Sequence, residues 1–292
     1  MLKGSLVAIV TPMFDDGRLD LDGLRALVDF HIAAGTDGIV VVGTTGESPT
    51  VNFEEHCLLI EIVSQHAAGR IPIIAGTGAN STSEAIELTR HAAAQGVHSC
   101  LLVTPYYNRP TQEGLYRHFR AVAEAVDIPQ ILYNVPSRTA VDLVNDTVMR
   151  LASVPNIVGI KDATGNMERC SDLLSRLPKD FALYGGDDPS GLALMFMGGH
   201  GVISVTSNVA PALMHQMCEY AFSGNIPEAI AINMRLLELH QKLFVEANPI
   251  PVKWALKEMG LIPEGIRLPL TPLSKIHHAT LRQAMQRAGV LP

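Results

Sequence analysis

Four cysteines in 292 residues, Cys57, Cys100, Cys170 and Cys218, are scattered without a C-x-x-C pair among them. They read as buried free thiols, Cys100 inside the apolar run to Val103, and not as a disulfide framework, which fits a reducing cytosol. Basic runs are missing too: the net charge is −7 and the isoelectric point near 5.9, which argues against nucleic acid or an anionic membrane as a partner. No long apolar run is present. Leu6–Val10 is short and is followed by Pro12 and Asp15-Asp16, so neither a signal peptide nor a membrane span is indicated and the expected location is the cytoplasm. Metal-ligand spacing is absent, since the eleven histidines include no H-x-H at a strand end and no H-E-x-x-H, and His277-His278 are adjacent and face apart on a helix. No metal and no cofactor is therefore expected. No G-x-G-x-x-G follows the first apolar run either.

What is present is apolar substance: 47% hydrophobic against 17% charged residues with a mean hydropathy of +0.20, more than a loose monomer needs to bury, so the chain is expected to oligomerise. A unit recurs from residue 20 to about 220: an amphipathic helix, a glycine, a few residues, then an apolar strand. Leu21 to Ala34, Gly35, then Gly38–Val42 is followed by Asn52 to Ala68, Gly69, then Ile71–Ala75, and by Ser81 to Gln95, Gly96, then Ser99–Val103. Each glycine falls where a helix end needs a left-handed residue. Asn52-Phe-Glu-Glu55 and Ser81-Thr-Ser-Glu84 read as capping boxes.

With Leu6–Val10 in front and strands at Gln130–Tyr133, Ile157–Lys161, Ala182–Gly185 and Gly201–Ser204 behind, there are eight strands, apolar throughout. Strands that do not alternate belong in a parallel sheet covered by helices. The count predicts an α/β (β/α)8 TIM barrel over residues 1–224, with a doubly wound open sheet as the weaker alternative. Residues 225–292 carry helical periodicity in three stretches broken by Pro263, Pro269 and Pro272. They read as a C-terminal helical extension that packs on the barrel or on a neighbouring subunit without catalytic work.

Of the seven lysines, only Lys161 ends a buried strand. Burial disfavours the ammonium, and the neutral amine is the nucleophile. The alternative is a lysine that snorkels to water or pairs with Asp162. In a barrel the site is built from the C-terminal strand ends, and these are polar here: Thr11; Gly43-Thr-Thr-Gly-Glu47; Gly76 to Asn80; Thr104 to Asn108; Tyr133 to Thr139; Lys161-Asp162; Gly185 to Asp188; Ser204 to Ser207. One amine among tyrosines, small hydroxyls and an arginine suits an imine mechanism with a tyrosine proton shuttle. Thr44-Thr45 is suited to a small carboxylate and Arg138 to a second one. Asp187 and Asp188 would repel a phosphate and read as helix caps.

Gly43-Thr-Thr-Gly-Glu47, Tyr133-Asn-Val-Pro-Ser-Arg-Thr139 and Gly159-Ile-Lys-Asp-Ala-Thr-Gly165, with Asn248-Pro-Ile-Pro-Val-Lys-Trp254 and Arg267-Leu-Pro-Leu270 behind them, resemble the dihydrodipicolinate synthase (4-hydroxy-tetrahydrodipicolinate synthase) family. The likeness covers essentially the whole chain. The resemblance implies a class I, Schiff-base lyase on a TIM barrel, a homotetramer built as a dimer of dimers. Its reaction is the condensation of pyruvate with L-aspartate 4-semialdehyde in lysine and diaminopimelate synthesis. It further implies an imine on Lys161, general acid/base work by Tyr133, and a proton relay completed by Thr44 and by Tyr107 from the adjacent subunit. Thr45 would hold the pyruvate carboxylate and Arg138 that of the aldehyde substrate, with Gly186 and Ile203 lining the pyruvate pocket. Ser48, His56, Asn80, Glu84 and Tyr106 match positions that bind L-lysine in feedback-sensitive members, which predicts inhibition by lysine. Ser137 and Asp162 depart mildly from the family pattern, and Pro49 and Phe53 depart near the regulatory positions. An N-acetylneuraminate lyase or keto-deoxy sugar acid aldolase is the closest rival, and Arg138 speaks against it. A catalytically silent metabolite-binding barrel is the remote one.

Overall fold

The computed structural model describes residues 1–291; Pro292, the last residue of the expected extension, lies outside the described residues. All eight strands form: β1 (Gly4–Ala8), β2 (Gly38–Val41), β3 (Ile73–Gly76), β4 (Ser99–Val103), β5 (Gln130–Asn134), β6 (Ile157–Asp162), β7 (Ala182–Gly185) and β8 (Gly201–Ser204). They pair in parallel in sequence order and close, β1 against β8, into a barrel. The open-sheet alternative is thereby excluded. Expected and observed ends agree within two residues, the largest shift being β1, whose ladder stops at Ala8.

Apolar residues run through each strand without alternating because both faces are covered. Leu6, Ala8, Val40, Ile74, Leu101, Ile131, Tyr133, Tyr184 and Ile203 fill the interior. Their neighbours Val7, Ile39, Val41, Ile73, Cys100, Leu102, Leu132, Ile160 and Leu183 face the surrounding helices. All four cysteines are buried and unpaired.

The helices are α1 (Leu21–Ala33), α2 (Phe53–Ala67), α3 (Thr82–Ala94), α4 (Gln112–Ala125), α5 (Pro136–Thr139), α6 (Asn145–Leu151), α7 (Met167–Arg176), α8 (Asp188–Phe196) and α9 (Pro211–Ser223). Gly35, Gly69 and Gly96 take φ of 80°, 75° and 70°, the left-handed ends that the repeat requires. Asn52 and Glu55 make the expected reciprocal capping box. Ser81 does not: its hydroxyl turns to Ser83 Oγ at 2.9 Å and makes no cap bond to the helix backbone.

The extension is α10 (Ile226–Lys242), α11 (Ile250–Glu258) and α12 (Lys275–Ala288), with α10 packed on α8, α9 and α12. The extension packs on the barrel, and between α10 and α11 the chain crosses the C-terminal mouth of the barrel. His240, Gln241, Phe244 and Asn248 line the cavity that opens there. No helix among the described residues is long and apolar enough to cross a membrane.

Candidate active site

Pleating decides which residues of β5 and β6 meet. Tyr133 pairs with Lys161 and Asn134 with Asp162 in register, so the first pair points into the barrel and the second out of it. Lys161 is 6% exposed, and its Nζ stands over the Tyr133 ring, 4.2 Å from the centroid. Asp162, on the opposite face, does not pair with Lys161. It accepts from Arg169 Nε at 2.7 Å, Thr164 N at 3.0 Å and Thr164 Oγ1, which removes the ion pair weighed as an alternative role for the lysine. Arg169 is also tied to the carbonyl of Leu143, so α7 joins the end of β6 to the segment between α5 and α6.

The cavity above Lys161 encloses about 310 Å³. Among its lining residues are Thr44, Thr45, Tyr133, Arg138, Lys161, Ala163, Gly186, Asp187 and Val205. A Cβ on Gly186 would lie 2.8 Å from Lys161 Cε and 2.7 Å from the methyl of Ala163. Only hydrogen leaves the lysine stem its room there. Arg138 sits exposed at the mouth in the short helix α5, whose Pro136 starts it, and its Nη2 donates to the carbonyl of Asn248 at 3.1 Å.

The turn that carries Thr44 and Thr45 is held between two non-glycine residues in left-handed conformation, Val42 (φ 53°) and Glu47 (φ 59°). Such residues persist only where the surroundings over-determine them. Glu47 is 1% exposed and is fastened three ways: to Lys253 Nζ on α11, to Arg267 N at 3.2 Å and to Thr50 Oγ1 at 3.3 Å. Burial pushes the Lys253 ammonium down, and the Glu47 carboxylate acts against it. Thr11 Oγ1 donates to Gly46 O at 2.7 Å and pins the turn from β1.

The eighth strand end is organised by Asp188, which corrects its reading as a cap. Asp187 caps α8 by accepting from Ser190 N at 3.1 Å, whereas Asp188 reaches back to accept from Val205 N at 3.0 Å and Thr206 N at 2.9 Å. Thr206 Oγ1 in turn lies 2.8 Å from His240 Nδ1. Burial pushes the His240 imidazole down, with Asp188 and Asp187 opposing.

Thr44, Thr45, Tyr133, Arg138, Lys161 and Gly186 thus converge on one cavity. Ile203 lies beneath it, 1% exposed in the barrel interior. Tyr107 is outside it: at φ 70° its ring projects from the chain 90% exposed. Of the five residues matched to a lysine site, Ser48, Asn80 and Tyr106 follow the ends of β2, β3 and β4, while His56 lies on α2 and Glu84 on α3. Burial, with a smaller contribution from the Glu84 charge, raises the pKa of the Tyr106 hydroxyl, and Asn80 O accepts from Asn108 Nδ2 at 2.8 Å. Ser48 follows Glu47 directly, half-buried. His56 is 6% exposed, its Nε2 lies 2.7 Å from Gly76 O, and burial holds its pKa below the ordinary value. That side chain offers a neutral ring and no cation to a ligand carboxylate.

Sequence reasoning does not single out Asn248, His240 or the pairing of Glu47 with Lys253. The run Asn248–Trp254 holds no local signal of which barrel loop it meets. Among the described residues no group of three or more His, Cys, Asp or Glu is placed to hold a metal ion.

The sequence model of the Dihydrodipicolinate synthetase family matches residues 1–288. The chain is 68% identical over 289 residues to the 4-hydroxy-tetrahydrodipicolinate synthase of Nitrosospira multiformis, covering 99% of this chain and 96% of that one. Among solved structures it superposes on the chloride inhibited dihydrodipicolinate synthase from Acinetobacter baumannii complexed with pyruvate, with a TM-score of 0.98, 55% identity and full coverage of both chains. It also superposes on the enzyme from Cyanidioschyzon merolae with lysine bound, with a TM-score of 0.96, 42% identity and 99% of each chain covered.

Proposed function

The chain belongs to the dihydrodipicolinate synthetase family, and from that premise we infer the work of its cavity. It is a lyase that condenses pyruvate with L-aspartate 4-semialdehyde to 4-hydroxy-tetrahydrodipicolinate, in the synthesis of lysine and diaminopimelate. The observation that carries the catalytic reading is a buried lysine against a buried tyrosine at the end of β6, with no carboxylate among the described residues bonded to it.

In our reading Lys161 Nζ attacks the C2 carbonyl of pyruvate, and loss of water from the carbinolamine leaves a protonated imine. Tyr133, relayed by Thr44 and by Tyr107 of a second subunit, carries the protons and removes one from C3. The resulting enamine carbon adds to the aldehyde. The amine of that substrate then attacks C2, closes the ring and expels Lys161, so the imine is the electron sink and no cofactor is needed. Thr45 holds the pyruvate carboxylate against Gly186, with Ile203 below, and Arg138 takes the carboxylate of the aldehyde substrate. Residues 1–224 serve as the catalytic barrel, and residues 225–292 close its mouth. A sugar-acid lyase, whose aldehyde carries hydroxyls, has no use for Arg138 at that mouth.

Borohydride added with pyruvate should fix one pyruvate to the peptide holding residue 161, and an adduct on any other lysine overturns the mechanism. Arg138→Lys keeps the charge and loses the planar fork. It should lower kcat/KM for the aldehyde substrate roughly 10- to 100-fold, the loss of one or two charge-assisted hydrogen bonds. Pyruvate trapping should survive in that variant, and equal loss of both would make Arg138 a structural residue.

We further propose that L-lysine inhibits through Ser48, His56, Asn80, Glu84 and Tyr106, separately from Lys161 and hence partly non-competitively with pyruvate. The likeness to the lysine-bound Cyanidioschyzon merolae enzyme supports this reading. Lysine titrations at two pyruvate concentrations on wild type and Glu84→Ala test it. Indifference to millimolar lysine, or equal inhibition of both forms, counts against the site.

A further inference from the structure

Asn248 is 5% exposed, comes from the extension, and touches both substrate-binding side chains. Its Nδ2 donates to Thr45 Oγ1 at 3.0 Å, and its main-chain carbonyl accepts from Arg138 Nη2 at 3.1 Å. Its Oδ1 is buried without a hydrogen-bond partner among the described residues. A buried amide whose oxygen goes unused is costly, and an apolar side chain would seal the same spot with less loss. That residue calls for a reason beyond packing.

The reason lies in the proton count at Thr45. A threonine hydroxyl has one hydrogen to give and two lone pairs to receive with. While Asn248 donates to Oγ1, the Thr45 hydrogen is free to point at the substrate. Were an acceptor at position 248, Thr45 would spend its hydrogen there and turn lone pairs toward the pyruvate carboxylate. We propose that Asn248 is a positioning residue that sets the polarity of the Thr45 hydroxyl, so that this hydroxyl donates to the pyruvate carboxylate. The inference rests on the reading of Thr45 given above.

The surrounding framework holds that contact in place. Lys253, five residues on and in the helix that Asn248 leads into, is bonded to Glu47, two residues beyond Thr45, and Lys253 N donates to Pro249 O at 3.0 Å. The segment carrying Asn248 is therefore fastened to the turn carrying Thr45 at a second point. The Arg138 contact uses the Asn248 carbonyl, which every substitution keeps. Side-chain changes at 248 thus address the pyruvate end of the cavity alone.

Two variants separate polarity from packing. Asn248→Asp keeps the shape and turns the donor into an acceptor, and it should raise the KM for pyruvate about 10-fold or more. Asn248→Ala, which frees the Thr45 hydroxyl without reversing it, should raise it about threefold or less. The KM for the aldehyde substrate at saturating pyruvate should change less than about twofold in both. Equal effects of Asp and Ala, or a parallel rise in both KM values, overturn the proposal. In a Thr45→Val background Asn248→Asp should add little, and a full further loss also overturns it. If Asn248→Asp does not fold, the cycle of Asn248→Ala with Thr45→Val reads the same coupling, and strict additivity in pyruvate KM sinks it. Borohydride trapping on the unmodified enzyme separates the two readings: failure there removes the imine mechanism, whereas normal trapping with failed cycles removes only the role of Asn248.

Discussion

His31 and His118 do not line the cavity, and they bear on stability. Burial holds His31 at about 3 and His118 at about 4, against an ordinary value of 6.5. Both are neutral in the fold, His31 Nδ1 lying 3.0 Å from Thr36 Oγ1 and His118 Nδ1 2.9 Å from Thr82 Oγ1. Their folded pKa values are depressed, so the unfolded chain binds more protons below about pH 6.5, and stability must fall as the pH falls from there toward 3 or 4. At pH 5 each contributes a loss of about 2 kcal/mol relative to pH 7. Urea unfolding at a fixed protein concentration, compared at pH 7 and pH 5, should show that loss reduced by about 2 kcal/mol in His31→Asn. An unchanged pH slope in the variant would mean that His31 is protonated in the fold.

The elements that shape the site are joined by polar contacts across long stretches of chain. The turn after β2 needs left-handed backbone at Val42 and Glu47, and α11 supplies the cation that keeps Glu47 buried. Removing one partner of a buried ion pair strands the other charge. Lys253→Met should therefore cost about 3–5 kcal/mol in urea unfolding, and Glu47→Gln with Lys253→Met should restore part of it. If Lys253→Met is neutral, Arg267 N and Thr50 suffice for the carboxylate. The strands were legible because burial on both faces writes a continuous apolar run, and α2 was legible because its capping box is local. Ser81 misled because its hydroxyl had a competing neighbour in Ser83, and Asp188 because its partners, Val205 and Thr206, lie in the turn that follows β8.

The whole molecule leaves apolar surface uncovered. Ile226, Ile230 and Met234 form an i, i+4 stripe along α10, exposed by 49%, 44% and 62%, and Phe222 near the end of α9 is exposed by 41%. The stripe and the projecting Tyr107 support our reading of a homotetramer whose site is completed by a second subunit. Tyr107→Phe should cut turnover by about a hundredfold, the scale of one lost proton-transfer group, and leave assembly in sedimentation unchanged. A fully active monomer, or unaltered turnover in Tyr107→Phe, removes the shared site.

By itself the sequence determined the eight strands, their parallel pairing and the lysine that ends the sixth, because each follows from local periodicity, strand-end chemistry and the burial of apolar runs. The motifs on β2, β5 and β6 carried Thr44, Thr45, Tyr133 and Arg138 to the same cavity. Only the tertiary structure decided that Lys161 faces Tyr133 while Asp162 turns away to Arg169. Only it brought Asn248, some two hundred residues from Thr45 along the chain, within a hydrogen bond of it. Pleat phase and loop closure depend on strand register and on packing between distant segments, and no window of sequence contains both partners.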